Sequence, residues 1–341
     1  MVPSHWFSGL GGWLLLILLI AAVFDNSRST SRAAVRRQVT IRSTRDGSHQ
    51  PVYVILPESF DPHDPPRPLL VSLHTWSGDV QQRNRELERL ADEAGWIYLF
   101  PHFRGPNQRP EACGSELAQQ DILDAVAWVR EQYPVDANRI YLTGASGGGH
   151  MTLLMVGRYP ELWAAASAWV PITDLSDWHA QHAGGKYGAM LRASCGGAPG
   201  DNPAVDQEYR QRSPLTHIHR ALDVPLDIAA GIRDGHEGSV PIRHSLQAFN
   251  RLAAAAGEPG ISEREMFELG RVDGRLTAPL PSDEGEDRVW QRRFYLRRHA
   301  GRARVTIFDG GHEGLPAGAI EWLQRHRRQD STAAAVESGR N

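Results

Sequence analysis

Two kinds of apolar pattern alternate along most of this chain. Runs of roughly four to eight apolar residues, typical of buried strands, are followed by stretches in which apolar residues recur every three or four positions, typical of helices. Segment 117–133 shows the second kind, because Ile122, Ala125, Val126 and Val129 stand at positions i, i+3, i+4 and i+7. It stops at Pro134, which a helix interior does not tolerate.

Apolar runs of the first kind, together with shorter or alternating apolar segments, predict eight strands. In chain order they are 38–43, 52–56, 69–73, 96–100, 140–142, 163–170, 225–230 and 303–308. The first two are separated by the turn signal Arg45-Asp46-Gly47, and helical stripes follow most of the others. This alternation predicts an α/β fold, with a mostly parallel central sheet that helices cover on both faces.

Two segments do not follow the alternation. Segment 171–224 lies between two predicted core strands, and we expect it to form a small cap insertion over the carboxyl edge of the sheet. Segment 258–301 mixes glycine, proline and many charges, and it is predicted as a surface insertion.

The two ends of the chain differ from this pattern. Trp6 to Phe24 carries no charge, and its core 13–24 has the length of a signal-peptide apolar region, while the whole run approaches a membrane span. Residues 1–34 are therefore predicted to be a signal peptide or membrane anchor that leads out of the cytosol. Arg28, Arg32, Arg36 and Arg37 follow the run and favour the opposite, cytoplasmic orientation, so the location stays open. We predict that 35–330 forms the catalytic domain and that 331–341 is a flexible tail.

Composition and charge argue against a nucleic-acid partner. The 341 residues carry a net charge of -3, with an isoelectric point near 6.6, which provides no basic footprint. The one basic run, which consists of Arg292, Arg293, Arg297, Arg298, Arg302 and Arg304, is predicted to be a solvated face, because no binding motif or aromatic platform accompanies it.

The strongest chemical motif is Gly144-Ala145-Ser146-Gly147-Gly148, between the predicted strand 140–142 and an apolar helical stripe that begins at Met151. A serine on a sharp strand-to-helix turn needs a strained backbone, and only glycine leaves room on either side. In a chain with 33 glycines the string alone is weak evidence, but the flanking strand and helix strengthen it. Ser146 is the predicted nucleophile; the alternative is a glycine-rich turn with an idle serine.

A serine nucleophile needs a general base and a carboxylate that orients the base. His312 follows the last predicted strand within Gly310-Gly311-His312, and Asp234 follows strand 225–230, so both are expected at the same sheet edge as Ser146. Rival acids are Glu237, Asp273 and Asp174, of which the last two require a less usual geometry.

An acyl-transfer site also needs donors for a developing oxyanion. The predicted donors are the backbone amide of Gly147 and that of Trp76, which lies in the loop after strand 69–73. Alternatively, Trp76 only walls the pocket.

No metal or cofactor is predicted. The pairs His179/His182 and His217/His219 have spacings that a metal could use, but no third ligand accompanies them, and no Lys-Ser/Thr follows the glycines to make a phosphate loop.

Cys113 and Cys195 are both expected on the carboxyl side of the sheet, and either two buried thiols or a bridge between cap and body is compatible with the sequence.

Together these motifs resemble the α/β-hydrolase superfamily and, within it, the catalytic domain of prolyl oligopeptidase-like (S9) serine hydrolases. The resemblance covers about 35–328 and rests on G-A-S-G-G-G-H, on G-I-R-D followed by Val-Pro, and on the last Gly-Gly-His. The loop 103–107 also looks like the family's Arg-Gly loop. There are two departures: His74-Thr75-Trp76 replaces the usual His-Gly-Gly, and the loop between Asp234 and Val240 is longer than usual.

The resemblance implies an α/β-hydrolase fold and a serine hydrolase that works through an acyl-enzyme, with Ser146, Asp234 and His312 in the order of that superfamily. An S9-type peptidase on short peptides is the leading hypothesis. A carboxylesterase of the acetyl or feruloyl type is the alternative, because such esterases share the skeleton. A noncatalytic binding module on the same scaffold is a hypothesis of another class.

Overall fold

A computed structural model describes residues 34–328. Nearly all of the predicted leader and the whole tail lie outside these residues, so both stay predictions. None of the helices within 34–328 combines the length and the apolar character that crossing a bilayer requires.

One mixed sheet of ten strands runs through residues 34–328, in the order β1-β2-β4-β3-β5-β6-β7-β10-β9-β8. Six central strands, from β4 to β10, are parallel, and the outer pairs are antiparallel. This confirms the predicted α/β sheet. The strands are β1 (Val35–Arg42), β2 (His49–Leu56), β3 (Arg67–Leu73), β4 (Ile97–Pro101), β5 (Val135–Ala145), β6 (Ala165–Trp169), β7 (Leu226–Gly231), β8 (Gly285–Asp287), β9 (Arg292–Ala300) and β10 (Ala303–Phe308).

Helices cover both faces of the sheet, because side chains alternate along each buried strand. In β3, Leu70 packs on one face with Leu87 and Ile320 of α1 and α9, and its neighbours Leu69 and Val71 pack on the other face with α2, α3 and α7. The helices are α1 (Arg85–Glu93), α2 (Glu116–Gln132), α3 (Gly147–Arg158), α4 (Leu175–His182), α5 (Lys186–Cys195), α6 (Pro203–Arg212), α7 (Arg243–Ala256), α8 (Glu263–Leu269) and α9 (Pro316–Gln324).

The connections place the candidate residues at one edge. β5, β6, β7 and β10 are consecutive parallel neighbours, so their carboxyl ends lie side by side. The segments after β5, β7 and β10 carry Ser146, Asp234 and His312. The predicted cap segment, between β6 and β7, contains α4, α5 and α6; its role as a cap stays a prediction.

The prediction of a surface insertion over 258–301 is wrong for the part of the segment that joins the central sheet. Residues 292–300 form β9, which pairs antiparallel with β10, and Leu296 and Ala300 are buried. Four arginines flank the short apolar centre Phe294-Tyr295-Leu296 and hide the strand pattern.

The solvated face predicted for the arginine run is also wrong in part. Arg304 is buried and its Nε donates to Asp227 Oδ1 at 2.8 Å. The Arg297 guanidinium lies 4.1 Å from the ring centroid of Phe294 and pairs with Asp287 at 2.9 Å. Aromatic and acidic neighbours from other segments supply this environment, which local sequence does not reveal.

Candidate active site

The turn between β5 and α3 has the strained conformation that the glycine pattern predicts. Ser146 has φ 59° and ψ -118°, a region that residues other than glycine rarely adopt. A Cβ at Gly144 would lie 2.5 Å from the carbonyl carbon of Gly148, so only glycine fits there. The Ser146 amide donates to the carbonyl of Trp169 at 2.9 Å, which ties the turn to β6.

The two predicted oxyanion donors lie next to each other. A Cβ at Gly147 would come within 2.3 Å of the Trp76 backbone nitrogen. Gly147 is the first residue of α3, and such an amide has no partner within its own helix. Within 34–328 the Trp76 amide has no protein acceptor. Two neighbouring amides beside a strained serine are suited to binding an oxyanion.

The indole of Trp76 packs between α3 and α4. It is buried and makes an edge contact with Trp178 of α4, with ring centroids 4.6 Å apart. Both alternatives for Trp76, amide donor and wall, are therefore compatible with its position. His150 of α3 packs edge-on against Trp76 at 5.7 Å, and burial lowers the pKa of His150 to about 4, so that this ring is neutral.

The loop 103–107 contacts the segment that carries Trp76. The Arg104 guanidinium pairs with Asp121 at 2.5 Å and Asp46 at 2.9 Å, and these two hydrogen-bonded carboxylates raise the pKa of Arg104. Farther along the loop, the backbone amide of Asn107 donates to the backbone carbonyl of Trp76 at 3.0 Å. The Arg-Gly loop thus holds the candidate oxyanion loop in place.

The predicted acid and base are hydrogen-bonded to each other. Asp234 Oδ2 lies 2.7 Å from His312 Nδ1, and Asp234 Oδ1 accepts from the amides of Gly235 and Val240 at 3.0 and 3.1 Å. The Asp234 side chain is fully buried, whereas that of His312 is 25% exposed. The carboxylate is therefore satisfied as an anion, and because it occupies Nδ1 it leaves Nε2 as the nitrogen of His312 that can exchange a proton.

The rival acids occupy other positions. Asp174 caps α4 by accepting from the amide of Ser176 at 2.8 Å, and Glu237 pairs with Arg233 at 3.4 Å. Asp273 is exposed, in the segment after α8. Of the four candidate acids, Asp234 is the one that is hydrogen-bonded to His312.

The histidine loop packs directly on the serine turn. A Cβ at Gly314 would lie 3.2 Å from the Cβ of Ala145, and a Cβ at Gly231 would lie 2.3 Å from the Gly311 carbonyl oxygen. The ends of β5 and β7 therefore both contact the loop that carries His312. Ser146, Asp234 and His312 all lie at this edge of the sheet, where Asp234 and His312 share a hydrogen bond and the loop of His312 packs on the turn of Ser146.

Three residues at this edge were not predicted from the sequence. The Nε1 of Trp178 and the Nε2 of His182, both in α4, each lie 2.8 Å from the Ser239 carbonyl oxygen. The Ser239 hydroxyl oxygen lies 3.5 Å from His312 Nε2. The unusual length of the loop between Asp234 and Val240 was the available signal.

The histidine pairs with metal-like spacing have other partners. His182 binds the Ser239 carbonyl, and His217 Nε2 lies 3.0 Å from the carbonyl oxygen of Gln211. In the part of the chain that the structure describes, no three metal-ligating side chains form a cluster.

The two cysteines lie within hydrogen-bonding distance of each other. Cys113 precedes α2 and Cys195 ends α5; both are buried free thiols that share a hydrogen bond. This hydrogen bond and burial raise the pKa of Cys195, whereas for Cys113 burial is outweighed by the same hydrogen bond together with Arg212, which lower the pKa of Cys113. Both sulfurs are buried, which shields them from oxidants in solution.

Thiol titration of denatured, unreduced protein is therefore expected to find two reactive thiols per chain. The same titration after reduction is the control and should give the same count. No reactive thiol before reduction and two after it would show instead that a disulfide links α5 to the body.

Comparison with known proteins relates this arrangement to two kinds of hydrolase. Residues 85–264 match the prolyl oligopeptidase family. The chain is 27% identical over 234 residues to acylamino-acid-releasing enzyme 2 of Oryza sativa subsp. japonica, which covers 63% of the chain and 27% of that protein. It is 24% identical over 249 residues to feruloyl esterase B of Talaromyces stipitatus, which covers 70% of the chain and 60% of the esterase.

A solved structure shows the same fold. The acylaminoacyl peptidase of Pyrococcus horikoshii superimposes with a TM-score of 0.56 at 18% identity, over 86% of this chain and 40% of that one. The chain thus spans less than two thirds of each of these proteins.

Proposed function

Since this chain belongs to the prolyl oligopeptidase family, we propose that it is a serine hydrolase that works through an acyl-enzyme, with Ser146, His312 and Asp234 as its catalytic triad. The observation that carries the proposal is the 2.7 Å hydrogen bond between Asp234 and His312, at the edge where Ser146 has its strained backbone. An idle serine in a glycine-rich turn would need neither.

In the proposed reaction, His312 Nε2 accepts the proton of the Ser146 hydroxyl as Ser146 Oγ bonds to the substrate carbonyl carbon. The oxyanion that forms is bound by the amides of Gly147 and Trp76. Asp234 holds the imidazole in the tautomer that leaves Nε2 free and stabilises the imidazolium. His312 then protonates the leaving amine or alcohol, and water releases the acyl group from Ser146 by the same steps.

The leading substrate class is short peptides. Family membership supports a peptidase, as does the likeness to acylamino-acid-releasing enzyme 2. The rings of Trp76, Trp178 and Tyr187 form an aromatic cluster beside the candidate oxyanion amides, in which Trp178 lies 4.6 and 4.9 Å from the other two rings. Trp76 and Trp178 are buried, so Tyr187 is the ring of this cluster that has surface to offer an apolar side chain or acyl group.

A carboxylesterase is the second candidate. The observation that favours it is coverage: the match spans 60% of feruloyl esterase B but 27% of acylamino-acid-releasing enzyme 2. An esterase of the acetyl or feruloyl type would use the same triad and oxyanion amides.

We expect hydrolysis of short-chain p-nitrophenyl esters whichever class is natural, because an activated ester has a better leaving group than an amide and depends less on the general acid. The decisive comparison is the kcat/KM for these esters against that for Xaa-Pro and N-acylaminoacyl p-nitroanilides, with Ser146→Ala as the blank. Cleavage of anilides supports the peptidase, and cleavage of esters alone supports the esterase. Activity on neither would contradict both candidates.

A further inference from the structure

The segment between Asp234 and Val240 brings a second serine to the candidate general base. We propose that Ser239 is a positioning residue for His312, which it contacts through its hydroxyl and which it links to α4 through its carbonyl. The inference rests on the proposed function, because it assigns Ser239 a role in the reaction at Ser146.

The hydroxyl is on the reactive side of the imidazole. Ser239 Oγ lies 3.5 Å from His312 Nε2, whereas Asp234 occupies Nδ1 at 2.7 Å. Nε2 is the nitrogen that must exchange a proton with Ser146. A hydroxyl can serve it in both protonation states, since it donates to the bare nitrogen and accepts from the N–H of the imidazolium.

The carbonyl of the same residue is held by two side chains of α4. The indole N–H of Trp178 donates to it at 2.8 Å, and His182 Nε2 lies 2.8 Å from the same oxygen. Trp178 is fully buried, so its ring direction is set by packing. Two donors on one carbonyl fix the backbone of Ser239 and therefore limit where its hydroxyl can lie.

The residues on either side of Ser239 pack the loop against Asp234 and His312. A Cβ at Gly238 would lie 2.2 Å from Asp234 Oδ1 and 2.7 Å from the Cβ of His312, so that no side chain is tolerated at this position. On the other side, the Val240 amide donates to Asp234 Oδ1 at 3.1 Å. Ser239 thus stands between two residues that are packed on Asp234, and its hydroxyl lies near His312.

The contact should matter most when the imidazole is charged. Once Ser146 Oγ has bonded to the substrate, its proton is on His312 Nε2 and the new N–H needs acceptors until the leaving group takes it. Hydrogen bonds to a charged group are stronger than those to a neutral one, so the hydroxyl stabilises the transition state more than the resting state. Its removal should lower kcat and leave KM unchanged.

The test compares steady-state hydrolysis of p-nitrophenyl butyrate, and the rate of fluorophosphonate labelling, in the full chain and four variants. Ser239→Ala is expected to lower kcat and the labelling rate about three- to tenfold, with KM unchanged. Ser239→Thr retains the hydroxyl and should restore most of the rate. Trp178→Phe removes one donor to the Ser239 carbonyl and should produce a smaller loss of the same kind. Ser176→Ala, a serine of α4 with no contact to His312, is the matched control and should equal the wild type.

Three outcomes overturn the inference: an unchanged kcat in Ser239→Ala, a loss that Ser239→Thr does not restore, or a loss that appears in KM instead of kcat. Equal thermal unfolding midpoints for wild type and Ser239→Ala exclude a folding defect as the cause. Failure of the proposed function has another signature, because wild type itself would then show neither labelling nor hydrolysis. A labelled wild type with an identical Ser239→Ala contradicts the positioning role alone.

Discussion

Ser146→Ala is expected to lower kcat by about 10⁶-fold, because serine and histidine of such a triad act as a unit and the loss of either removes nearly all of its contribution. The oxyanion amides of Gly147 and Trp76 would remain and account for any residual rate above that in water. The measurement is steady-state hydrolysis of a p-nitrophenyl ester, with an unfolding curve to show that the variant folds. Ser146 lies in a strained conformation with φ 59°, which alanine must adopt as well, so no gain in stability is expected from the substitution itself.

An ester rate in Ser146→Ala equal to that of wild type would place the reaction at another residue. Ser239→Ala is the informative comparison, since this serine also lies near His312 Nε2, at 3.5 Å. If Ser239 were the nucleophile, the two variants would exchange their expected phenotypes.

Asp234→Asn is expected to lower kcat by about 10⁴-fold with the fold intact. The asparagine amide would present an N–H to His312 Nδ1, and the ring would then be held in the tautomer whose Nε2 already carries a proton. The Oδ1 contacts to the amides of Gly235 and Val240, at 3.0 and 3.1 Å, can be kept by the asparagine oxygen. The loss should therefore appear in kcat and not in the unfolding midpoint.

Asp273→Asn is the matched control for this prediction. Asp273 is exposed and lies in the segment after α8, so the variant should retain wild-type kcat. A large loss in Asp273→Asn, together with near wild-type activity in Asp234→Asn, would show that Asp273 orients the base and that the assignment to Asp234 is wrong.

The central strands and the candidate triad could be predicted because both depend on local order in the chain. Leu69 to Leu73 is apolar throughout, as a strand covered on both faces must be. Ser146, Asp234 and His312 each follow such a strand within a few residues. Parallel strands bring their carboxyl ends to one edge, so three distant positions become neighbours through topology alone.

The rest of the fold and of the candidate site depends on contacts that no local sequence pattern encodes. β9 contains four arginines and looks like a solvated segment, yet Arg297 pairs with Asp287 and packs on Phe294. Ser239 shows no signal of its own, because its position follows from Trp178 and His182 in α4, which lies far away in sequence. The length of the loop between Asp234 and Val240 indicated a local departure without showing what the extra residues contact.

Covalent labelling of the folded protein with a fluorophosphonate, followed by mass mapping of the modified residue, tests whether Ser146 is the activated nucleophile. The reagent requires a serine that a base activates beside oxyanion donors. We expect one modified residue, Ser146, and no modification of Ser146→Ala or of heat-denatured wild type. An unlabelled folded wild type would contradict the proposed triad, as would a label that maps to another serine and persists in Ser146→Ala.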